Sequence, residues 1–366
     1  MIFPLNTIAN PCLRAVAEKA LQGERLSAAD GQALYGCEDL ALLSSLATCR
    51  RRQMNGDKVF YNRNFHIEPT NICVNHCLFC SYRRQAGEAG SWEYSIDDIR
   101  KICRSYVGQP VTEVHIVGGV HPARDIYFYA SLLDAVKQLL PQATIKAFTA
   151  VEIDYMAQKA GWTYEKSLRL LKENGLEAMP GGGAEIFDET IRRRICPGKT
   201  GAHTWLCIHE TAHRMGIRTN ATMLFGHIET PAHRIDHLLR LRELQDKTGG
   251  FDAFIPLKYK SPHNRPGIAG EVSTAEVLHN FAVCRLMLDN IPHLKAYWPM
   301  LGKDVMQRAL HFGADDIDGT IDDSTKIYSM AGADEQRPTL TAGELENHIT
   351  AAGYTAVERN TFYDEL

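Results

Sequence analysis

From Val59 onward the chain alternates short β-rich runs with longer helical patterns. That alternation restricts an α/β chain to parallel strands joined by helical crossovers. The strands expected are Asn64–Ile67, Glu113–Val117, Thr144–Phe148, Leu176–Met179, Arg218–Leu224, Ala253–Leu257, Leu294–Tyr297 and Asp315–Asp318. Between them lie helical patterns such as Ile96–Tyr106, Ile126–Leu140, Tyr164–Asn174, Thr204–Met215, Ala232–Lys247, Thr274–Leu288 and Lys303–Phe312. Eight strands in this rhythm predict a closed (β/α)8 barrel of the TIM type. The last two are weak, which leaves a six-stranded partial barrel as the alternative.

At 366 residues the chain is long enough for such a barrel with extensions at both ends. Residues 1–58 read as a helical N-terminal extension, with amphipathic stretches at Ala15–Leu21, Ala28–Cys37 and Asp39–Arg52, and Ser27 as an N-cap. The barrel takes residues 59–330. After Met330 the rhythm breaks: residues 331–345 look loop-like, Ala342–Ala352 helical and Tyr354–Phe362 extended, giving a small C-terminal extension over 331–366.

Formal net charge is −4 with both signs mixed along the chain, so no nucleic-acid footprint is expected. No signal peptide and no run of eighteen apolar residues is seen, so no membrane span is expected. Ten cysteines without an export signal point to a reducing compartment, and the expected location is cytoplasmic.

The chemistry is concentrated in Asn71–Tyr82, NICVNHCLFCSY, following the apolar-rich run Val59–Ile67, which reads as one extended stretch ending in the first barrel strand. Cys73, Cys77 and Cys80 are spaced C-x3-C-x2-C. Three thiolates can wrap one face of a [4Fe–4S] cluster and leave its fourth iron without a protein ligand. Structural zinc needs four ligands, commonly as two separated pairs, and no second C-x2-C occurs. His76 as a fourth zinc ligand would strain a tetrahedral site packed into neighbouring positions. Cys103, Cys207 and Cys284 fall in helical patterns and read as packing residues.

In a parallel barrel the reactive groups sit at the C-terminal ends of strands. The first strand delivers His66, Glu68 and Asn71 to the cysteine loop. The second runs into Gly118-Gly119-Val120-His121-Pro122, where a glycine pair permits close backbone approach to a ligand. The fourth leads to Gly181-Gly182-Gly183-Ala184-Glu185, room for a nucleoside with a carboxylate able to accept two ribose hydroxyls. An ordinary helix-start carboxylate is the plainer reading of Glu185. The fifth ends in Thr222 and Gly226-His227, the sixth in Lys258. His66, His121, His227 and Lys258 are the cationic or donor side chains at these strand ends. Each also has a plain role open to it, as a loop cap or a solvated surface charge.

The cysteine loop resembles that of the radical S-adenosylmethionine (SAM) enzymes. The chain as a whole resembles the aminofutalosine synthase family among them, through HIEPTNICVNHCLFCSY, EVHIVGGVHP, IKAFTAVEI, MPGGGAEIF, RTNATMLFGHIETP, GGFDAFIPL, KAYWPMLG and HFGADDIDGT. The resemblance implies a radical SAM barrel with a [4Fe–4S] cluster on Cys73, Cys77 and Cys80 and SAM as a consumed co-substrate. It implies SAM contacts at Phe79, Tyr82, Gly118, Gly119, Glu185, Thr222 and Gly226, and catalytic roles for His121, His66 and Glu68. Asn71, Lys258 and His227 are expected to hold the substrate. The implied reaction adds the 5′-deoxyadenosyl radical to 3-[(1-carboxyvinyl)oxy]benzoate, giving 6-amino-6-deoxyfutalosine on the way to menaquinone. An external one-electron reductant such as flavodoxin or ferredoxin is implied too. The cyclic dehypoxanthinylfutalosine synthase and a deazaflavin-cofactor synthase are the alternatives within the superfamily. A non-catalytic iron–sulfur or zinc protein is the alternative outside it.

Overall fold

The structure is a computed structural model that describes residues 5–260, 271–323 and 338–366, together with Met330. The loop expected from residue 331 falls, up to 337, outside the described residues. Strands are β1 (Lys58–Asn62), β2 (Asn64–Ile67), β3 (Glu113–Ile116), β4 (Thr144–Ala147), β5 (Ala178–Met179), β6 (Arg218–Phe225), β7 (Phe251–Lys258), β8 (His293–Leu294), β9 (Asp316–Gly319), β10 (Asp322–Asp323) and β11 (Thr355–Glu358). Eight form one sheet in the order β10-β2-β3-β4-β5-β6-β7-β8, every pair parallel.

The sheet curls until its edges meet. Lys295, just after β8, bridges to Asp316, the first residue of β9. The chain then runs on into β10, which pairs with β2 through Asp322–Phe65 and Asp323–His66. The segment around Asp316–Asp323 therefore fills the seam, and the α/β barrel read from the alternation is the fold.

One run differs from expectation. Val59–Ile67 leads toward the cysteines as a single extended stretch, yet it is broken at Arg63 into β1 and β2. The Arg63 carbonyl turns to accept the Thr112 N–H at 2.8 Å, and its guanidinium pairs with Glu358 at 2.8 Å. So β1 leaves the barrel and sits between β9 and β11 in a separate three-stranded parallel sheet.

The tail beyond β11 covers the barrel's N-terminal end. Arg359 pairs with Asp316, both fully buried, and lies over the Tyr363 ring at 4.2 Å. Tyr363 stacks on His293 with centroids 3.6 Å apart, and Thr361 donates to Glu113 at 2.9 Å. Asp316, His293 and Glu113 each begin a strand, so these contacts lie on one floor. The opposite mouth is where a site can open.

The N-terminal helices Ala28–Tyr35 and Leu40–Asn55 pack against barrel helices, Leu40–Asn55 chiefly on Thr274–Met287, and Pro11–Gln22 packs on those two. Ser27 caps its helix in a capping box with Asp30, as its position implied. Among the described residues no helix is long and apolar enough to cross a membrane.

Candidate active site

The cysteine loop leaves β2 and is tied down before it reaches the thiols. Asn71 donates to the Gly90 carbonyl at 2.9 Å and accepts the Trp92 N–H at 2.8 Å, so it braces this loop. The Tyr82 hydroxyl donates to the Thr70 carbonyl at 2.7 Å. Val74 N–H reaches the Val120 carbonyl at 3.0 Å, and Gly119 N–H the Thr70 carbonyl at 2.7 Å. These bonds press the loop after β3 against the cysteine loop. A Cβ on Gly119 would lie 2.4 Å from the Ile72 carbonyl oxygen, so only glycine permits that approach. The glycine pair was expected to admit a ligand; it also lets two loops touch.

Cys73, Cys77 and Cys80 line a cavity of about 220 Å³ at the strand ends. Its other walls come from Phe79, Tyr82, Val117–Val120, Thr149, Glu152, Gly183 and Lys199. Burial pushes the Cys77 thiol up to about 12, against the pull of Lys199. Among the described residues no three His, Cys, Asp or Glu side chains converge to grip a single metal ion. Three soft sulfur donors spread over one wall of a cavity fit a multi-iron cluster.

Two residues of this wall escaped the sequence reading. Glu152 accepts the Gly118 N–H at 3.1 Å with one oxygen, and the N–H and hydroxyl of Thr149 at 2.7 and 2.8 Å with the other. Burial raises its carboxyl to about 7. Its signal was present: Thr149-Ala-Val-Glu152 directly follows β4 and forms a capping box. Lys199 lies in the turn after Cys196-Pro-Gly, its ammonium 2.5 Å from Glu185 and 5.5 Å from the Phe79 ring centre. Burial works against its charge, but Cys77 and Glu185 outweigh that and hold it firmly protonated.

Glu185 itself is buried with φ of 49°, a strained backbone for a residue with a Cβ. Gly183, at φ 88°, faces the cavity where a Cβ would strike Val151. Thr222 donates to the Gly181 carbonyl at 2.7 Å and so supports the glycine run.

None of the remaining expected residues lines this cavity. His66 and Glu68 are buried on and just after β2. His121 follows the lining stretch without joining it: its Nδ1 accepts the Ala123 N–H at 3.1 Å, and its Nε2 lies 3.1 Å from Glu93. His227 is buried between the Leu224 carbonyl at 3.0 Å and Glu229 at 3.1 Å. Gly226 N–H donates to the same Glu229 at 2.6 Å. Lys258 pairs with Glu271 at 2.8 Å.

Against known proteins, the radical SAM superfamily profile matches residues 67–241 and the CofH/MqnC C-terminal region matches residues 248–366. The aminodeoxyfutalosine synthase of Thermus thermophilus is 43% identical, over 98% of this chain and 97% of that protein. The 5-amino-6-(D-ribitylamino)uracil–L-tyrosine 4-hydroxyphenyl transferase of Methanothermobacter thermautotrophicus is 38% identical, over 90% of each. Methylornithine synthase shares the fold, with a TM-score of 0.73 at 19% identity over 93% of this chain and 97% of the other. Together with the thiol-lined cavity, these similarities place the chain in the radical SAM superfamily, as an enzyme of the family to which the aminodeoxyfutalosine synthases belong.

Proposed function

We propose that this enzyme joins the 5′-deoxyadenosyl group of SAM to 3-[(1-carboxyvinyl)oxy]benzoate, yielding 6-amino-6-deoxyfutalosine, bicarbonate and methionine for menaquinone synthesis. The observation that carries the reading is the shared wall: three thiols, the glycines Gly118, Gly119 and Gly183, and Lys199 line one cavity, with Glu185 paired to Lys199 behind it. The 43% identity to an aminodeoxyfutalosine synthase over nearly the whole chain supports the choice of substrate. Cys73, Cys77 and Cys80 would hold a [4Fe–4S] cluster, which would supply the electron that splits SAM, drawn from an external reductant such as flavodoxin or ferredoxin.

The chain's own residues bind and orient. Glu185 accepts the ribose hydroxyls, and Lys199 keeps that carboxylate ionised and aimed. Gly118 and Gly183 leave room at the wall for SAM, with Glu152 fixing the Gly118 amide. Phe79 and Tyr82 close the cavity against water, which protects a reactive carbon centre from side reactions. Thr222 and Gly226 shape the far side of the nucleoside space. His66 and Glu68, at the top of β2, stand beside the substrate. His121 and Asn71 act through the loops they brace, and His227 and Lys258 through the Glu229 and Glu271 carboxylates they meet.

The 38% identity to a tyrosine hydroxyphenyl transferase supports a second reading, in which the radical carbon meets tyrosine instead. Anaerobic reconstitution tests the first step of either. Four irons and four sulfides per chain, with a spectrum altered by SAM, are expected. One bound zinc and no response to SAM would sink both.

A further inference from the structure

Beneath the cavity, the inner face of the barrel carries two imidazoles, one of which has no task so far. His66 on β2 and His115 on β3 are register neighbours, and their rings stack with centroids 4.6 Å apart at 24°. Lys146 on β4 is next in the same row. Side chains alternate across a strand, so the fully buried Val114 and Ile116 mark the helix-facing side of β3 and place Glu113 and His115 on the lumen side. Val117, two residues beyond His115, lines the cavity. His115 therefore lies one pleat, roughly 6.6 Å, below the cavity wall.

His115 is also the β3 residue that keeps accessible surface while Glu113, Val114 and Ile116 are buried. Among the described residues no group hydrogen-bonds its ring nitrogens. The charges nearby are already matched: Lys146 pairs with Glu113 at 2.5 Å, and Lys295 with Asp318 at 2.9 Å. Burial, then the proximity of His66 and Lys146, keeps the His115 ring neutral. A neutral imidazole with a free N–H, one register step from an ammonium, suits an aryl carboxylate.

We infer that His115, stacked on His66 and flanked by Lys146, is the binding group for the ring carboxylate of the acceptor substrate. The inference rests on the substrate reading above and adds to it the place and direction in which the benzoate lies. The enol-ether end then points up toward the thiol-lined cavity, and the carboxylate points down to the row His66-His115-Lys146.

Calorimetry on the reconstituted, SAM-loaded enzyme tests this, with 3-[(1-carboxyvinyl)oxy]benzoate and its analogue lacking the ring carboxylate as probes. His115→Ala should weaken binding of the benzoate roughly ten- to a hundred-fold, the loss typical of a hydrogen bond to a charged group. His115→Asn, which keeps an N–H donor, should recover part of that loss. Iron content and SAM affinity should not change, and the analogue should bind wild type and both variants alike. Equal binding of the benzoate to wild type and both variants overturns the inference while leaving the substrate reading intact. Absence of binding to wild type overturns both.

Discussion

The ammonium of Lys199 lies 2.5 Å from Oε1 of Glu185, and the two side chains are 12% and 9% exposed, Lys199 lining the cavity. A buried pair of this kind is costly to halve, because the remaining charge has no solvent to turn to. Lys199→Met should therefore destabilise the fold by about 3–5 kcal/mol. Denaturant midpoints check this, and an unchanged midpoint would show that Glu185 finds another partner.

Glu185→Gln also leaves Lys199 unpaired and should cost stability, so binding is read on the folded, iron-loaded fraction. There the amide fills the space but is a poorer acceptor for ribose hydroxyls. SAM affinity of the reconstituted variant should fall roughly ten- to a hundred-fold with full iron content. Wild-type affinity in a SAM titration would remove Glu185 from the nucleoside site.

Cys73→Ala, Cys77→Ala and Cys80→Ala should each lose most of the bound iron, because three thiols leave no redundancy. Cys103 and Cys284 are fully buried in helices away from the cavity. Alanine there should keep the iron and cost about 1 kcal/mol in packing. A motif variant that retained a complete cluster would contradict the assignment.

The floor of the barrel makes stability depend on acid. Burial alone would push the Glu113 carboxyl up. Lys146 at 2.5 Å, with Lys295 and Arg359 behind it, outweighs that and holds it at about 2, below its ordinary 4.5. A carboxylate held low in the folded state adds stability that is complete above 4.5 and is lost as pH falls through about 2. Glu113→Gln should start about 3–5 kcal/mol less stable at neutral pH, with Lys146 left unpaired. Its stability should then decline less than wild type's between pH 4.5 and 2. Parallel pH curves for the two proteins would contradict this.

The barrel was legible because its signal is local: period-two apolar runs such as Asn64–Ile67 and Thr144–Ala147 alternate with helical patterns, and each run needs only its own residues to be read. The break at Arg63 was not legible. It depends on Glu358 and on β11, nearly three hundred residues away, and no window around Val59–Ile67 contains them. In the candidate site, spacing singles out the cysteines that the fold sets on one cavity wall, and the glycines before Glu185 single out that residue, whose contact with SAM is a proposal. Lys199 was not legible, because a lysine in a Pro-Gly turn looks solvated until the fold folds it back over Glu185. Glu152 could have been read by the strand-end rule applied elsewhere. His115 was hidden differently: only pairing of β2 with β3 sets it against His66.

Anaerobic turnover with SAM, 3-[(1-carboxyvinyl)oxy]benzoate and a strong reductant tests the proposed reaction most directly. Mass spectrometry should find 6-amino-6-deoxyfutalosine, with methionine released in equal amount and the adenosyl carbon bonded to the acceptor. Intact benzoate beside free 5′-deoxyadenosine, or coupling seen only when tyrosine and 5-amino-6-(D-ribitylamino)uracil replace it, would contradict the account.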